Sequence, residues 1–287
     1  MNKPETLKMA NVAIVTPVYK AFNQQLPGEI QSLLQLKTIL GNRDIFFIHP
    51  SYVNVTEYIE LFQPLNVRSI LIDDKYFGNP VRGNRLFVQY KFYSKFSDYD
   101  FMLIYHTDAY VFSDQLDYWC SLNFDYIGAP WFVGNSEPAK PLQFKGVGNG
   151  GFSLRKLSSF IEISGNKRII RNYLFMYTLY QFLQGNNYNL LRKTLGINYL
   201  MKIIKPHMGY EDEFWGLIVP RYFKWFNVAR PEEALRFSFE VLPEELLKLN
   251  NNELPFGCHA WEKYDPSFWK KFIDVNINSL QAVWQTV

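Results

Sequence analysis

Sulfur and imidazole are both scarce in this chain, which has 2 cysteines and 4 histidines in 287 residues. Cys120 and Cys258 have no partner at CxxC spacing, and no further cysteine lies near enough in sequence to His259 to build a zinc site. Without a disulfide framework, a reduced cytoplasmic setting is expected. Long apolar runs are missing too. The amino-terminal stretch MNKPETLKMANVAIVTPVYK is cut short by Pro17, which fits neither a signal peptide nor a membrane span. Net charge is small, formally +3, too little to argue for nucleic acid. Charged residues make up only 20% against 48% hydrophobic, which excludes disorder as the main state.

What is present is a chain long enough for one large α/β domain, with 18% aromatic residues that suit pockets and partly wet faces. Apolar runs at Val12–Val15, Ile45–His49, Ser69–Ile72 and Phe101–Tyr105 read as buried strands. Between the first two, a helix starts near Pro27, carries Ile30, Leu33, Leu34 and Leu40 near one face, and stops at Gly41. A second helical pattern runs from Asn84 to Phe96. Strand and helix in alternation predict crossover units and a mostly parallel central sheet flanked by helices. Ligands of such sheets bind beyond the carboxyl ends of the strands.

Four stretches carry polar chemistry. In YHTDAYVF, His106 and Asp108 stand where an apolar strand turns polar, a place for a carboxylate to meet a cation and a diphosphate, and equally for an ordinary turn aspartate. GVGNGGFSLRK supplies backbone amides without side-chain bulk, as a phosphate or sugar site or a plain glycine-rich turn would need. It has neither the P-loop spacing nor the strand-then-glycine order of a dinucleotide fingerprint. MGYEDEFWG places Glu211, Asp212 and Glu213 in a first helical turn, either to favour the helix dipole or to offer a general base. PFGCHAWEKYD holds His259, a packed residue or a ligand.

In order and flanks, these words resemble the GT-A class of nucleotide-sugar glycosyltransferases, and more closely a bacterial family of largely uncharacterised proteins assigned to that class. YHTDAYVF, DYIGAPWF, GVGNGGFSLRK, GYEDEFWG, EEALRFSFE and PFGCHAWEKYD carry the resemblance from Tyr105 to Asp265. It implies a GT-A-like, Rossmann-like α/β fold in a single domain, with a nucleotide half over 1–110 and an acceptor half over 111–265. A helical insertion at about 156–205 and a helical tail over 266–287 complete it. It also implies transfer of a sugar, from a UDP-sugar by analogy, to a hydroxyl of a glycan or lipid-linked glycan in cell-surface synthesis.

By position, the resemblance implies roles. His106, Thr107 and Asp108 stand at the DxD metal motif, with His106 replacing its first aspartate and Asp108 matching its last. His259 matches the carboxyl-terminal histidine of the metal site, and such a donor set suits Mn²⁺ or Mg²⁺. Thr16, Pro17 and Val18 match the strand end that lines the nucleotide base. Gly148, Asn149, Gly150 and Gly151 match the loop beneath the donor, where a side chain would take the substrate's space. Asp212 matches the base of inverting members, with Glu211 the next candidate, while Asp125, Trp131 and Phe132 fall near the acceptor side.

From Arg155 to Lys205, nine basic residues face one acid, Glu162, with tyrosines and phenylalanines interleaved. Such a segment suits peripheral contact with an anionic inner membrane face, or a solvated helical lid. Two other functions stay open. A sugar nucleotidyltransferase shares the core, but TPVYKAFNQ lacks its glycine-rich loop. A catalytically silent nucleotide- or glycan-binding protein would fit the loss of the first DxD aspartate to His106.

Overall fold

The run VAIVTP forms β1 (Val12–Pro17) with every residue buried, as a strand covered on both faces must be. The computed structural model to which it belongs describes residues 10–184 and 210–275. β1 pairs in parallel with β2 (Asp44–His49) and β4 (Phe101–Tyr105), and β3 (Arg68–Leu71) extends the sheet in parallel beyond β2, where as an edge strand it is largely exposed and not buried as expected. Two further strands, β9 (Phe152–Lys156) and β6 (Tyr126–Ile127), join antiparallel, giving the order β3-β2-β1-β4-β9-β6. This mostly parallel sheet, flanked by helices, is the α/β arrangement expected.

Side chains alternate across that sheet. Val12 and Ile14 face one apolar cluster with α1 (Pro27–Leu40), which contributes Ile30, Leu33, Leu36 and Leu40. Leu34, expected on that face, is only partly buried at its edge. Ala13 and Val15 face a second cluster, built from α3 (Pro80–Leu86), α4 (Tyr90–Tyr93), α6 (Leu157–Gly165) and α7 (Lys167–Gln184). The expected helix from Asn84 to Phe96 is broken into α3, α4 and a 3-10 turn. At the break, the Phe87 carbonyl accepts from the Tyr93 hydroxyl at 2.7 Å and from Trp215 Nε1 at 2.9 Å, so side chains take the place of the helical ladder.

Beyond the sheet's edge, β5 (Ala109–Val111), β10 (Ser238–Phe239) and β11 (Gly257–His259) make a small second sheet, and β7 (Ala129–Phe132) pairs with β8 (Phe144–Gly148). Helices α10 (Pro231–Phe237), α11 (Pro243–Leu249) and α12 (Pro266–Trp269) pack around them, following α8 (Glu211–Glu213) and α9 (Val219–Tyr222) in the chain; α2 (Thr56–Leu61) and α5 (Leu116–Ser121) lie earlier. Of the expected insertion, α6 and α7 are described. Residues 185–209 and the tail beyond 275 lie outside the described residues. Arg155 belongs to neither; counted above with the basic insertion, it lies wholly buried on β9.

Candidate active site

Register brings the expected residues together. β4 pairs with β9 so that Tyr105 faces Phe152, and His106 N donates to the Gly151 carbonyl at 2.8 Å. A tight turn over His106, Thr107 and Asp108 then leads into β5, whose Ala109 faces His259 on antiparallel β11. Three segments far apart in sequence therefore meet at one point. A ligand atom from each of His106, Asp108 and His259 lies within 4.8 Å of the others. His259 Nε2 lies 3.3 Å from Asp108 Oδ1, and the two imidazoles meet edge to face at 5.5 Å.

Electrostatics divide the three. Burial alone would lower the His259 pKa, but the Asp108 charge and hydrogen bond, with those of Glu240, push it up to about 10. Burial would likewise raise Asp108, yet His259 holds its carboxyl well below the usual range. For His106, burial together with the His259 charge outweighs the Asp108 charge and lowers its pKa to about 4. Its Nε2 is buried with no hydrogen-bond partner among the described residues. A neutral imidazole with a lone pair free, beside a carboxylate and a second imidazole, is a donor set that fits a divalent cation.

Across the glycine loop lies a second pair of groups. After α8 the helix widens into one π turn over Phe214–Ile218, a distortion frequent at functional sites. There Gly216 lets the helix backbone close on β8, since a Cβ on it would fall 1.9 Å from the Val147 carbonyl oxygen. Glu211 and Asp212, adjacent in sequence, have separate surroundings. Glu211 turns into the core, where Arg155 Nη2 donates to Oε1 at 2.9 Å. Asp212 is half-buried, and its Oδ1 accepts from Glu213 N at 2.9 Å, while Oδ2 has no hydrogen-bond partner among the described residues. Burial and the charges of Glu211 and Glu240 push the Asp212 pKa up to about 8.

The glycines leave room for protein. A Cβ on Gly148 would sit 2.1 Å from the Trp131 ring, and one on Gly151 would sit 2.1 Å from His259 Nε2. One on Gly150 would lie 3.2 Å from Glu211 Oε1 and 3.7 Å from Asp212 Oδ2. Asn149, expected beneath the donor, instead turns inward: its Oδ1 accepts from Gly151 N at 2.9 Å and Phe152 N at 3.0 Å, shaping the loop.

Other expected positions also have structural work. Thr16, Pro17 and Val18 are buried at the end of β1, and the first exposed residue beyond them is Tyr19, at 51%. Its phenol, pushed up to about 12 by burial and then by the Asp108 and Glu29 charges, stands at the mouth of the site. Thr107 is buried and donates to Glu29 Oε1 at 3.3 Å. Asp125 is not on an open face. Its carboxylate accepts from Ser159 Oγ at 2.5 Å and Asn227 N at 2.6 Å, pinning α6 and a loop to β6. Phe132 is core as well, stacked on Phe144 at 5.1 Å. Trp131 remains half-exposed beside the loop, its Nε1 donating to Glu240 Oε2 at 3.1 Å.

Sequence reading missed Arg155, Tyr19 and Glu240. Tyr19 had a signal, being the first aromatic residue past a mostly apolar strand; Glu240 is the one charged residue in FSFE. The profile of a family described as "Protein of unknown function (DUF5672)" matches residues 66–259, more than half the chain. Curated proteins gave no match. Among solved structures, the chain is similar to the apo form of mouse xyloside xylosyltransferase 1, at 10% identity and a TM-score of 0.47, covering 86% of this chain and 96% of that one. Core-mannan synthase A (CmsA/Ktr4) from Aspergillus fumigatus, in its Mn/GDP form, is similar at 10% identity and 0.40, covering 60% and 66%. The apo-form glycosyltransferase GlyE of Streptococcus pneumoniae TIGR4 is similar at 12% and 0.44, covering 94% of this chain but 64% of GlyE. Among the described residues, no helix is long and apolar enough to cross a membrane.

Proposed function

The chain belongs to the DUF5672 family, and we propose that it is a metal-dependent glycosyltransferase. In this reading it moves a sugar from a nucleoside diphosphate, UDP-sugar first among donors, to a hydroxyl of a glycan, with inversion. One observation carries the reading. The glycine pair Gly150–Gly151 separates a set of cation ligands from a carboxylate whose second oxygen has no partner among the described residues: Gly151 lies against His259, and Gly150 lies against Glu211 and Asp212. Leaving group and attacking group need that separation.

Asp108, His259 and His106 would hold Mn²⁺ or Mg²⁺. When bound, such a cation neutralises the charge that builds on the departing diphosphate. The chain supplies the rest. Asp212 Oδ2 takes the proton of the acceptor hydroxyl as that oxygen bonds to the anomeric carbon and the bond to the diphosphate breaks. Trp131, half-exposed with Lys145 Nζ 5.6 Å from its ring centre, offers a face on which a sugar ring packs. Charge favours a cation requirement. Carboxylates of Asp108, Glu240 and Glu262 lie around the site, and a diphosphate entering without a counterion would meet like charge.

A second surface supports peripheral membrane contact. A groove of about 760 Å³, apart from the residues above, runs between α3–α4 and α6–α7. Arg85, Lys91, Lys167 and Arg171 rim it with no acid among its lining, over Ile170, Leu174 and an exposed Phe175. Cations beside apolar and aromatic groups match an anionic bilayer interface. Lys167→Glu with Arg171→Glu should abolish co-sedimentation with phosphatidylglycerol vesicles, and equal binding to pure phosphatidylcholine would refute the contact.

Calorimetric titration with UDP and with GDP, each with Mn²⁺ and with chelator, tests the donor site. Metal-dependent binding of UDP, lost in Asp108→Ala and kept in Asp212→Asn, is the expected result. Binding indifferent to Mn²⁺ would remove the cation from the reading. Tight binding with no turnover of any sugar donor would favour a silent binding protein.

A further inference from the structure

Glu240 directly follows β10, with its side chain only 13% exposed. Both of its oxygens are used, and by residues from two different strands. His259 Nδ1 donates to Oε1 at 3.0 Å, and Trp131 Nε1 donates to Oε2 at 3.1 Å. An ionised carboxylate can only accept, so the Nδ1 position of His259 must carry the hydrogen. When a cation displaces the ring's second proton, the lone pair offered to it therefore belongs to Nε2, the nitrogen that faces Asp108 Oδ1 and lies over Gly151.

Trp131 is fixed by the same anchor. Its indole covers Gly148, and its only ring nitrogen points at Glu240. One carboxylate thus sets the ring plane of a metal-ligand candidate and the plane of the aromatic face beside it. Among the described residues, neither His259 nor Trp131 has another hydrogen-bond partner that would hold its ring in place, apart from Asp108 itself.

We propose that Glu240 is a positioning residue for both: it selects the His259 tautomer that presents Nε2 to the cation, and it couples that ligand to the Trp131 platform. The inference rests on the metal-dependent reading above. Outer carboxylates of this kind change metal affinity by roughly 10- to 100-fold when removed.

Mn²⁺ affinity without nucleotide, read from the free-ion EPR signal, tests it in wild type, Asp108→Ala, Glu240→Ala, Glu240→Gln, Trp131→Phe, and Glu240→Gln with Trp131→Phe. Glutamine keeps the volume but has one accepting oxygen for two donors, so its amide NH₂ must meet either the imidazole or the indole N–H. Expected losses are roughly 10- to 100-fold for Glu240→Ala and a clear loss for Glu240→Gln. Trp131→Phe removes the competing donor and should restore affinity to the glutamine variant while changing little alone. A merely structural role for Glu240 would not give that rescue. Wild type that binds Mn²⁺, with Asp108→Ala that does not, and Glu240→Ala equal to wild type, would overturn the positioning role and leave the metal site standing. If wild type itself binds no Mn²⁺, the metal reading fails and the proposal falls with it. Urea melts of each variant separate misfolding from lost positioning, and Glu240→Gln is the variant expected to fold as wild type does.

Discussion

Replacing Arg155 by leucine should destabilise the fold far more than a single substitution usually does, by an amount that depends on pH. The guanidinium is fully buried and makes three hydrogen bonds: Nε to Ser153 Oγ at 3.1 Å, Nη1 to Tyr93 Oη at 2.8 Å and Nη2 to Glu211 Oε1 at 2.9 Å. Aromatic rings of Phe87, Phe160 and Tyr126 lie 5.4 to 5.8 Å from its carbon. Glu211 Oε2 already lacks a partner among the described residues, so removing Arg155 leaves both carboxylate oxygens buried and unmatched. Breaking a buried pair from one side costs about 3–5 kcal/mol. For a chain of this size that lowers the melting temperature on the order of 10 °C. Glu211 can limit the loss by taking a proton. Burial raises its pKa even with Arg155 opposing, and raises it further without. A group with a raised folded pKa binds more protons folded than unfolded, so stability falls as pH rises through that window. Urea unfolding followed by circular dichroism should therefore show a smaller loss at pH 5 than at pH 8. Arg155→Leu with Glu211→Leu, which removes both charges, should recover most of it. A loss under about 1 kcal/mol, against the 3–5 expected, or the same loss at both pH values, would refute the buried-pair reasoning.

The Asp212 carboxyl, raised to about 8, should give transfer an ascending limb toward alkaline pH, because the base works only when deprotonated. The limb should vanish with the activity in Asp212→Asn; a variant still active with that limb intact would move the base elsewhere. Gly151→Ala should weaken Mn²⁺ binding without replacing a ligand, because the new Cβ falls 2.1 Å from His259 Nε2 and the ring must move; unchanged affinity in the EPR titration would show that it need not. Asp125→Ala should cost about 1.5–3 kcal/mol per lost charged hydrogen bond in urea unfolding, and leave nucleotide binding by calorimetry as it was. Lost transfer in a stable Asp125→Ala protein would return the residue to the acceptor side.

Strands were legible because their signal is local. VAIV, IFFIH and FMLIY each carry the burial of two faces in a few adjacent residues, whereas SILI forms an edge strand left largely exposed; all four observed strands agree with the expected ones to within one or two residues at each end. The helix expected over 84–96 was not legible, because what breaks it is the use of the Phe87 carbonyl by Tyr93 and by Trp215, the latter 128 residues away. Cluster members could be named but not their partners. His106, Asp108 and His259 meet through the pairing of β5 with β11, a register no spacing encodes. Asp125 and Phe132 share a word with Trp131, yet strand alternation and the anchoring of α6 turn both away from the open side. Arg155 read as one cation among nine because burial is invisible to a charge count.

Glu211 and Asp212 show how much depends on one residue of helical turn. The 100° between neighbours on a helix aims Glu211 at Arg155 and Asp212 at the cleft. Had the pair been aimed alike, both would share one guanidinium, and neither would have the free, proton-hungry oxygen a base needs. Aimed apart, Glu211 is held by Arg155 and its charge acts on Asp212 as a fixed repulsive neighbour, together with Glu240. The base is thus strengthened by carboxylates that take no part in proton transfer. Glu240 acts in both directions, raising Asp212 on one side and holding the His259 imidazole on the other. Removing its charge should therefore weaken proton uptake at Asp212 and loosen the ligand at His259 together. Two effects on opposite sides of the glycine loop from one carboxylate are what distinguish a shared electrostatic framework from two sites that only happen to be near.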